Sequence, residues 1–267
     1  MIAWRRSAAI VLRHLYLLRS SPARVVPLFA WVAVDIVLWG FISRYLDSLA
    51  APGVRLVPLL LGAVLLWDFF ARVMQGVTTA FFEDVWSRNF LNLFATPITV
   101  PEYVLGLVLS SVATSAVGLA AMLALAGAVF GLSFAATGLQ LAGFLLVLFG
   151  FGIALGLVGC ALVLRLGPAA EWLIWPLPAL LSPFAGVFYP VAILPRWMQV
   201  VARLLPPAHV FEGLRATLSG APGGASLLAG AVLAAVDLLA AAWLFGRVHR
   251  RALRGGLIGR YSAETVS

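Results

Sequence analysis

The sequence contains no lysine; all 18 basic residues are arginine. That absence excludes the phosphate-binding loop G-x-x-x-x-G-K-[ST], whose lysine reaches the β- and γ-phosphates. If ATP drives this chain, another polypeptide binds the nucleotide. Cysteine is reduced to Cys160, inside an apolar run, so there is no disulfide framework. The three histidines, His14, His209 and His249, lie far apart, which leaves a metal site without a ligand cluster. There is no G-x-S-x-G elbow and no nucleophile, base and orienter grouping. Charge is scarce as well: 10% of residues are charged and 63% are hydrophobic, with a mean hydropathy of +1.06. Soluble domains carry about 25% charged residues. The 267 residues therefore read as an all-α polytopic membrane protein.

The formal net charge of +8 does not point to nucleic acid, because the arginines cluster at the ends of apolar runs rather than in a basic stripe. A bilayer core needs about 20 apolar residues per helix. Six segments satisfy this, near Val25–Ser43, Leu56–Thr79, Pro101–Phe130, Leu139–Leu164, Trp172–Tyr189 and Ala225–Phe245. The fourth carries Gly152-xxx-Gly156 with Gly159 nearby, a spacing that lets helices approach closely. Ahead of them, Met1–Ser20 reads as an interfacial helix. Trp4, Ala8, Val11, Leu12, Leu15 and Leu18 share an apolar face, with Arg6 and Arg13 opposite and directed at anionic lipid. Its apolar run Ala8–Leu12 is too short for a cleavable signal and is followed by Arg13, His14 and Arg19.

Arginine placement sets the orientation. With the N-terminus cytoplasmic, Arg5, Arg6, Arg13, Arg19, Arg24, Arg88, Arg165, Arg247, Arg250, Arg251, Arg254 and Arg260 fall inside. Arg44, Arg55, Arg196, Arg203 and Arg215 fall outside. That is a positive-inside bias with both termini cytoplasmic. No internal repeat or soluble domain is visible, so 1–267 is one membrane domain. It divides into an interfacial helix (1–22), spans one and two (25–79), a cytoplasmic amphipathic helix (83–97), spans three to five (101–189), a re-entrant segment (190–218), span six (225–246) and a cytoplasmic tail (247–267).

The amphipathic helix interrupts two long apolar runs. Phe82, Trp86, Phe90 and Phe94 recur at i+4, while Asp84, Arg88 and Asn92 share the opposite face. Glu83 and Asp84 suit a helix N-terminus, and Asp84 with Arg88 is an i,i+4 ion pair. Thr96-Pro97 ends the helix and Pro101 can open the next one. On the outside, Ser182–Leu218 is too apolar for an ordinary loop. Pro183, Pro190, Pro195, Pro206 and Pro207 cut it into pieces too short to span, as in a helical hairpin dipping into the outer leaflet.

Four ionisable residues fall within the spans: Asp35, Asp68, Arg72 and Asp237. Such groups face partners or cavities. Asp68 and Arg72, four apart, neutralise each other in the simplest account; the functional account is a polar lining of a translocation path. Asp35 has no local partner and is placed to reach Arg72 or a second subunit. Outside, Arg196, Arg203, Glu212 and Arg215 read as headgroup contacts, or as contacts to an anionic part of a substrate, and Tyr189 and His209 as interfacial residues.

Two stretches carry a family resemblance. The first is E-D-V-W-S-R-N-F-L-N-L-F-A-T-P-I at Glu83–Ile98, with Glu102 and Gly106 following. The second is G-V-F-Y-P at Gly186–Pro190, then L-P-R-W-M-Q at Leu194–Gln199, P-P-A-H at Pro206–His209 and E-G-L-R at Glu212–Arg215. In order and spacing these resemble the ABC-2-type permeases, the membrane subunits of ABC exporters. The resemblance implies that Glu83–Ala95 is a coupling helix seated in a cleft of an ATPase. Glu83, Asp84, Arg88 and Asn92 would then supply polar contacts, and Trp86 and Phe90 anchors. It also implies that Pro183–Leu218, with Tyr189, Pro190 and Pro195 at its bends, closes the outer side. Two ATPase copies binding ATP and Mg would work with two permease subunits, identical or different, in a bacterial cytoplasmic membrane. The implied cargo is amphipathic or lipid-linked: a drug, a lipid or a glycan. No cofactor is expected on this chain. The rival is an ion-gradient-driven secondary transporter, kept open by Asp35, Asp68 and Asp237 but lacking repeat symmetry.

Overall fold

A computed structural model describes residues 4–49, 56–87, 96–131 and 138–254. Among them the chain forms helices and no strand. We number the α-helices α1 Trp4–Arg19, α2 Pro22–Leu49, α3 Leu56–Trp86, α4 Val100–Phe130, α5 Gly138–Leu166, α6 Leu177–Ala185, α7 Arg196–Arg203, α8 Pro206–Leu218 and α9 Gly224–Arg254. Helices α2, α3, α4, α5 and α9 are long and apolar enough to cross a membrane.

Helices α3 and α5 form the centre, with 56% and 67% of their most apolar windows buried, against 17–22% for α2, α4 and α9. Glycine permits the central contact. A Cβ on Gly152 would lie 2.8 Å from Val73 Cγ1 and one on Gly156 2.8 Å from Val77 Cβ, with α3 carbonyls just behind both. Phe70 and Phe151 stack across the same seam at 5.4 Å. The outer helices expose apolar side chains along their length, among them Trp31 and Phe41 on α2 and Leu228, Leu239 and Trp243 on α9. That is what a lipid-facing surface requires.

Three expectations need correction. First, the second span does not stop at Thr79. Helix α3 runs unbroken through Trp86, carrying Glu83, Asp84 and Trp86 on its last turns. No proline or glycine interrupts this stretch, and Asp84 is buried against polar partners. Second, Trp172–Tyr189 is not one continuous helix. Pro168–Leu173 forms a 3-10 turn, and α6 spans Leu177–Ala185. At 1.5 Å per residue α6 is about 14 Å long, half of a hydrocarbon core. Pro176 and Pro178 stand at its start and Pro183 inside it, and proline lacks the N–H that a continuous helix needs. Third, α1 is rolled relative to the expected pose: Ser7, Ile10 and His14 are its buried residues, while Trp4, Leu12, Leu15 and Tyr16 are exposed.

The two ends of the bundle are built differently. Helix α1 lies against α4 and the last turns of α3 at one end. At the other, Arg44 near the end of α2 covers Phe130 at the end of α4. Trp39 stacks there on Phe188, in the turn after α6, with ring centroids 4.6 Å apart. The short helices α7 and α8 also belong to that far end, where Gly213 of α8 packs on Phe144 in the first turns of α5.

Candidate functional site

The α1 end concentrates the long-range polar contacts of the chain. Asp84 is fully buried, and its two oxygens are shared between two other elements. Arg13 of α1 donates to Oδ1, and the hydroxyl of Tyr103 on α4 donates to Oδ2 at 2.8 Å. Tyr103 is itself fully buried, beside Phe81. One carboxylate thus joins α1, α3 and α4.

A second joint involves the residue before Tyr103. Glu102 in the first turn of α4 accepts the backbone N–H of Thr99 at 2.9 Å, closing the start of the helix. Arg6 pairs with the same carboxylate at 3.4 Å and donates to the Pro97 carbonyl. Ser7 Oγ donates to the Glu102 carbonyl at 3.0 Å. His14 bridges further in: its Nε2 lies 3.2 Å from the Ala80 carbonyl of α3 and its Nδ1 3.4 Å from Ser110 Oγ of α4. Ile10 fills the space left by Gly106, where a Cβ would approach it to 2.7 Å. The segment between α3 and α4 is therefore held at both of its described ends by α1.

These contacts add to the expected roles of two arginines. Arg6 and Arg13, expected at anionic lipid, also pair with Glu102 and Asp84, while 42% and 28% of their side chains stay exposed. A buried carboxylate is costly unless paired and hydrogen-bonded, which these arginines provide. Asp84 is enclosed and presents no surface to a partner, whereas Glu83 is half-buried and Trp86 exposed. Arg88, Phe90 and Asn92, with the expected Asp84–Arg88 pair, lie outside the described residues. Trp86 has a use that sequence reasoning missed: its Nε1 donates to Glu171 at 3.1 Å.

Within the spans, Arg72 Nε donates to Asp68 Oδ2 at 2.8 Å on α3. Gly118 of α4 makes room for the Arg72 stem, whose Cδ would be 3.2 Å from a Cβ there. Asp35 on α2 is half-buried and feels the charges of both Asp68 and Arg72. Among the described residues the observed pair is Asp68–Arg72. Asp237 on α9 is half-buried and forms no ion pair among the described residues.

At the far end, Glu212 and Arg215 make bonds that hold the turn at Gly186–Val191 to α8. Glu212 Oε1 accepts the Val191 N–H at 2.7 Å and Arg215 Nη2 at 3.0 Å, while Arg215 Nη1 donates to the Gly186 carbonyl at 2.9 Å. The folded turn at Gly186–Val191 leaves backbone groups that need these partners. Tyr189 donates its hydroxyl to the Pro183 carbonyl at 2.8 Å. Pro190 and Pro195 cap short helical pieces, and Arg196 and Arg203 are exposed.

The family model for ABC-2 type transporters matches residues 11–219, from within α1 to just past α8. The chain belongs to the ABC-2 type transporter family. With its five long apolar helices, it is a multi-pass integral membrane component of an ABC transporter. A search of the curated proteins returned no match. In this ABC-2 chain the matched stretch includes both described ends of the segment between α3 and α4, the α1 contacts from Val11 onward, and the far-end hairpin.

Proposed function

We propose that this chain is the permease subunit of an ABC exporter, moving an amphipathic or lipid-linked substrate outward across a bacterial cytoplasmic membrane. A separate ATPase, carrying ATP and Mg, would supply the energy. The observation that carries the reading is the buried Arg13–Asp84–Tyr103 joint. A partner pushing on the segment between α3 and α4 moves three helices together, because α1, α3 and α4 share one carboxylate at its root. Such a push shifts the bundle only if the docking contact differs in free energy between its two states. Glu83, Trp86, Arg88, Phe90 and Asn92 are the contacts assigned to the ATPase, whereas Asp84 transmits from within. Two ATPases and two permeases, identical or different, complete the transporter.

The arginine bias supports placing the α1 end in the cytoplasm. A sixth crossing is supported by contacts at the two ends of the broken segment: Glu171 bonds Trp86 at the α1 end and Phe188 stacks on Trp39 at the far end. Asp35, Asp68 and Arg72 are then the polar lining of the translocation path, and α7 with α8 the outer closure. The test is copurification with the ATPase encoded next to this chain, followed by a substrate screen for stimulated ATP hydrolysis in liposomes. Stimulation that disappears with Glu83→Ala/Arg88→Ala, in a chain that still inserts, is the expected result. Full stimulation in that variant overturns the docking assignment.

A further inference from the structure

Glu171 sits where the end of α3 meets the broken segment after α5. Both of its carboxylate oxygens are occupied by indole N–H groups: Oε2 by Trp86 at 3.1 Å and Oε1 by Trp175 at 3.0 Å. Hydrogen bonds to an ionised acceptor are the strong kind. The segment that carries Glu171 is exposed on its outer side. It begins at Gly167, whose φ of +99° is a conformation natural to glycine and strained for other residues, and nothing lies within 4 Å of the Cβ position there. Trp172 is 82% exposed and Leu173 57%. Two residues anchor its inner side: Ala170 is 5% exposed, and Ile174 is 2% exposed and reaches to 3.1 Å of the Gly159 Cβ position, beside the Thr78 methyl. These apolar anchors hold the segment on α5. The carboxylate adds a polar attachment on the outer side, and one of its partners is the residue on which α3 ends.

We propose that Glu171 is a positioning residue that clips the last turn of α3 to the broken segment, so that movement of the docking loop reaches this segment as well as α1 and α4. The clip rests on the exporter reading for its purpose, but its existence can be judged without it. Trp86 in this role is an internal hydrogen-bond donor as well as an exposed ring.

The test uses the full chain in liposomes, in a Cys160→Ala background, with spin labels at Ser87→Cys and Trp172→Cys, both exposed positions flanking the clip. Dipolar spectroscopy should give one narrow distance population with Glu171 present, unchanged when the partner ATPase and ATP are added. Glu171→Ala should give an about two-fold broader distribution, as for a segment released to local opening. Trp86→Phe, which keeps a ring without the N–H, should broaden it likewise and serves if Glu171→Ala misfolds. Glu171→Gln, retaining one acceptor oxygen, should fall between. Widths in ATP-free liposomes that are identical for parent, Glu171→Ala and Trp86→Phe overturn the clip. Failure of the parent to bind or stimulate the ATPase instead defeats the exporter reading, and the ATP-free widths still decide the clip.

Discussion

The two ends of this bundle use polar residues in opposite ways. At the α1 end the bonds join parts of the chain that are distant in sequence: Arg13 to Asp84 across 71 positions and Arg6 to Glu102 across 96. At the far end Arg44 reaches the Val129 carbonyl across 85 positions, but within the hairpin and the turn before it the bonds are local. Glu212 and Arg215 are three apart, and even the reach from Arg215 to Gly186 covers 29 positions. The α1 end is thereby joined to α3 and α4 through ion pairs and hydrogen bonds, whereas α8 is held to the bundle by packing, with Phe211 fully buried and Gly213 against Phe144. On the proposed exporter reading, force enters at the α1 end, where the bonds between distant helices would carry it into the bundle.

The most severe way to break the contrast is Asp84→Ala. It leaves Arg13 and the Tyr103 hydroxyl without their shared acceptor, and removing one partner of a buried pair costs about 3–5 kcal/mol. The purified protein should lose thermal stability and α1 should become protease-sensitive. Adding Arg13→Ala should restore part of the loss, since the stranded charge is then gone. A Tm equal to that of the parent would mean that the joint does not hold α1.

Much of this was legible in the sequence because it follows from apolar length: five of the six expected spans appear as long helices, and α1 forms within the expected Met1–Ser20. What could not be read was pairing between distant segments. Arg6 and Arg13 read as the polar side of an interfacial helix, directed at anionic lipid. Their partners, Asp84 and Glu102, lie at either end of a segment some eighty residues on. One signal was available: two arginines seven apart on α1 match two acids flanking one loop. Proline was the other difficulty. Pro176, Pro178 and Pro183 sit in a stretch whose hydropathy alone reads as a span, and the missing N–H groups decide that it breaks.

A second variant tests the attachment of α1 through packing rather than charge. Gly106→Val would push side-chain atoms into Ile10, already 2.7 Å from the Cβ position. Overpacking of this kind costs about 1–3 kcal/mol. The expected signature is a lower Tm with α1 displaced, seen as faster hydrogen exchange in α1 while the hairpin is unchanged.

Glu212→Ala carries the comparison to the far end. It removes the acceptor for the Val191 N–H and one partner of Arg215, at a cost of about 1 kcal/mol for each hydrogen bond. Because those contacts are local, hydrogen exchange should rise across residues 186–218 and leave α1 protected. Exchange rising in α1 too would show that the two ends are coupled in the resting protein.

The smallest effect is expected from Arg196→Ala with Arg203→Ala. Both side chains are exposed on α7, and Arg203 contributes its backbone carbonyl, not its guanidinium, to the bond with His209. Surface substitutions away from such contacts leave stability nearly unchanged. Thermal unfolding in detergent should therefore match the parent, and any change should show only in liposomes rich in anionic lipid, where exposed arginines meet headgroups. A loss of stability in detergent would instead place these two arginines among the braces of the hairpin, alongside Glu212 and Arg215.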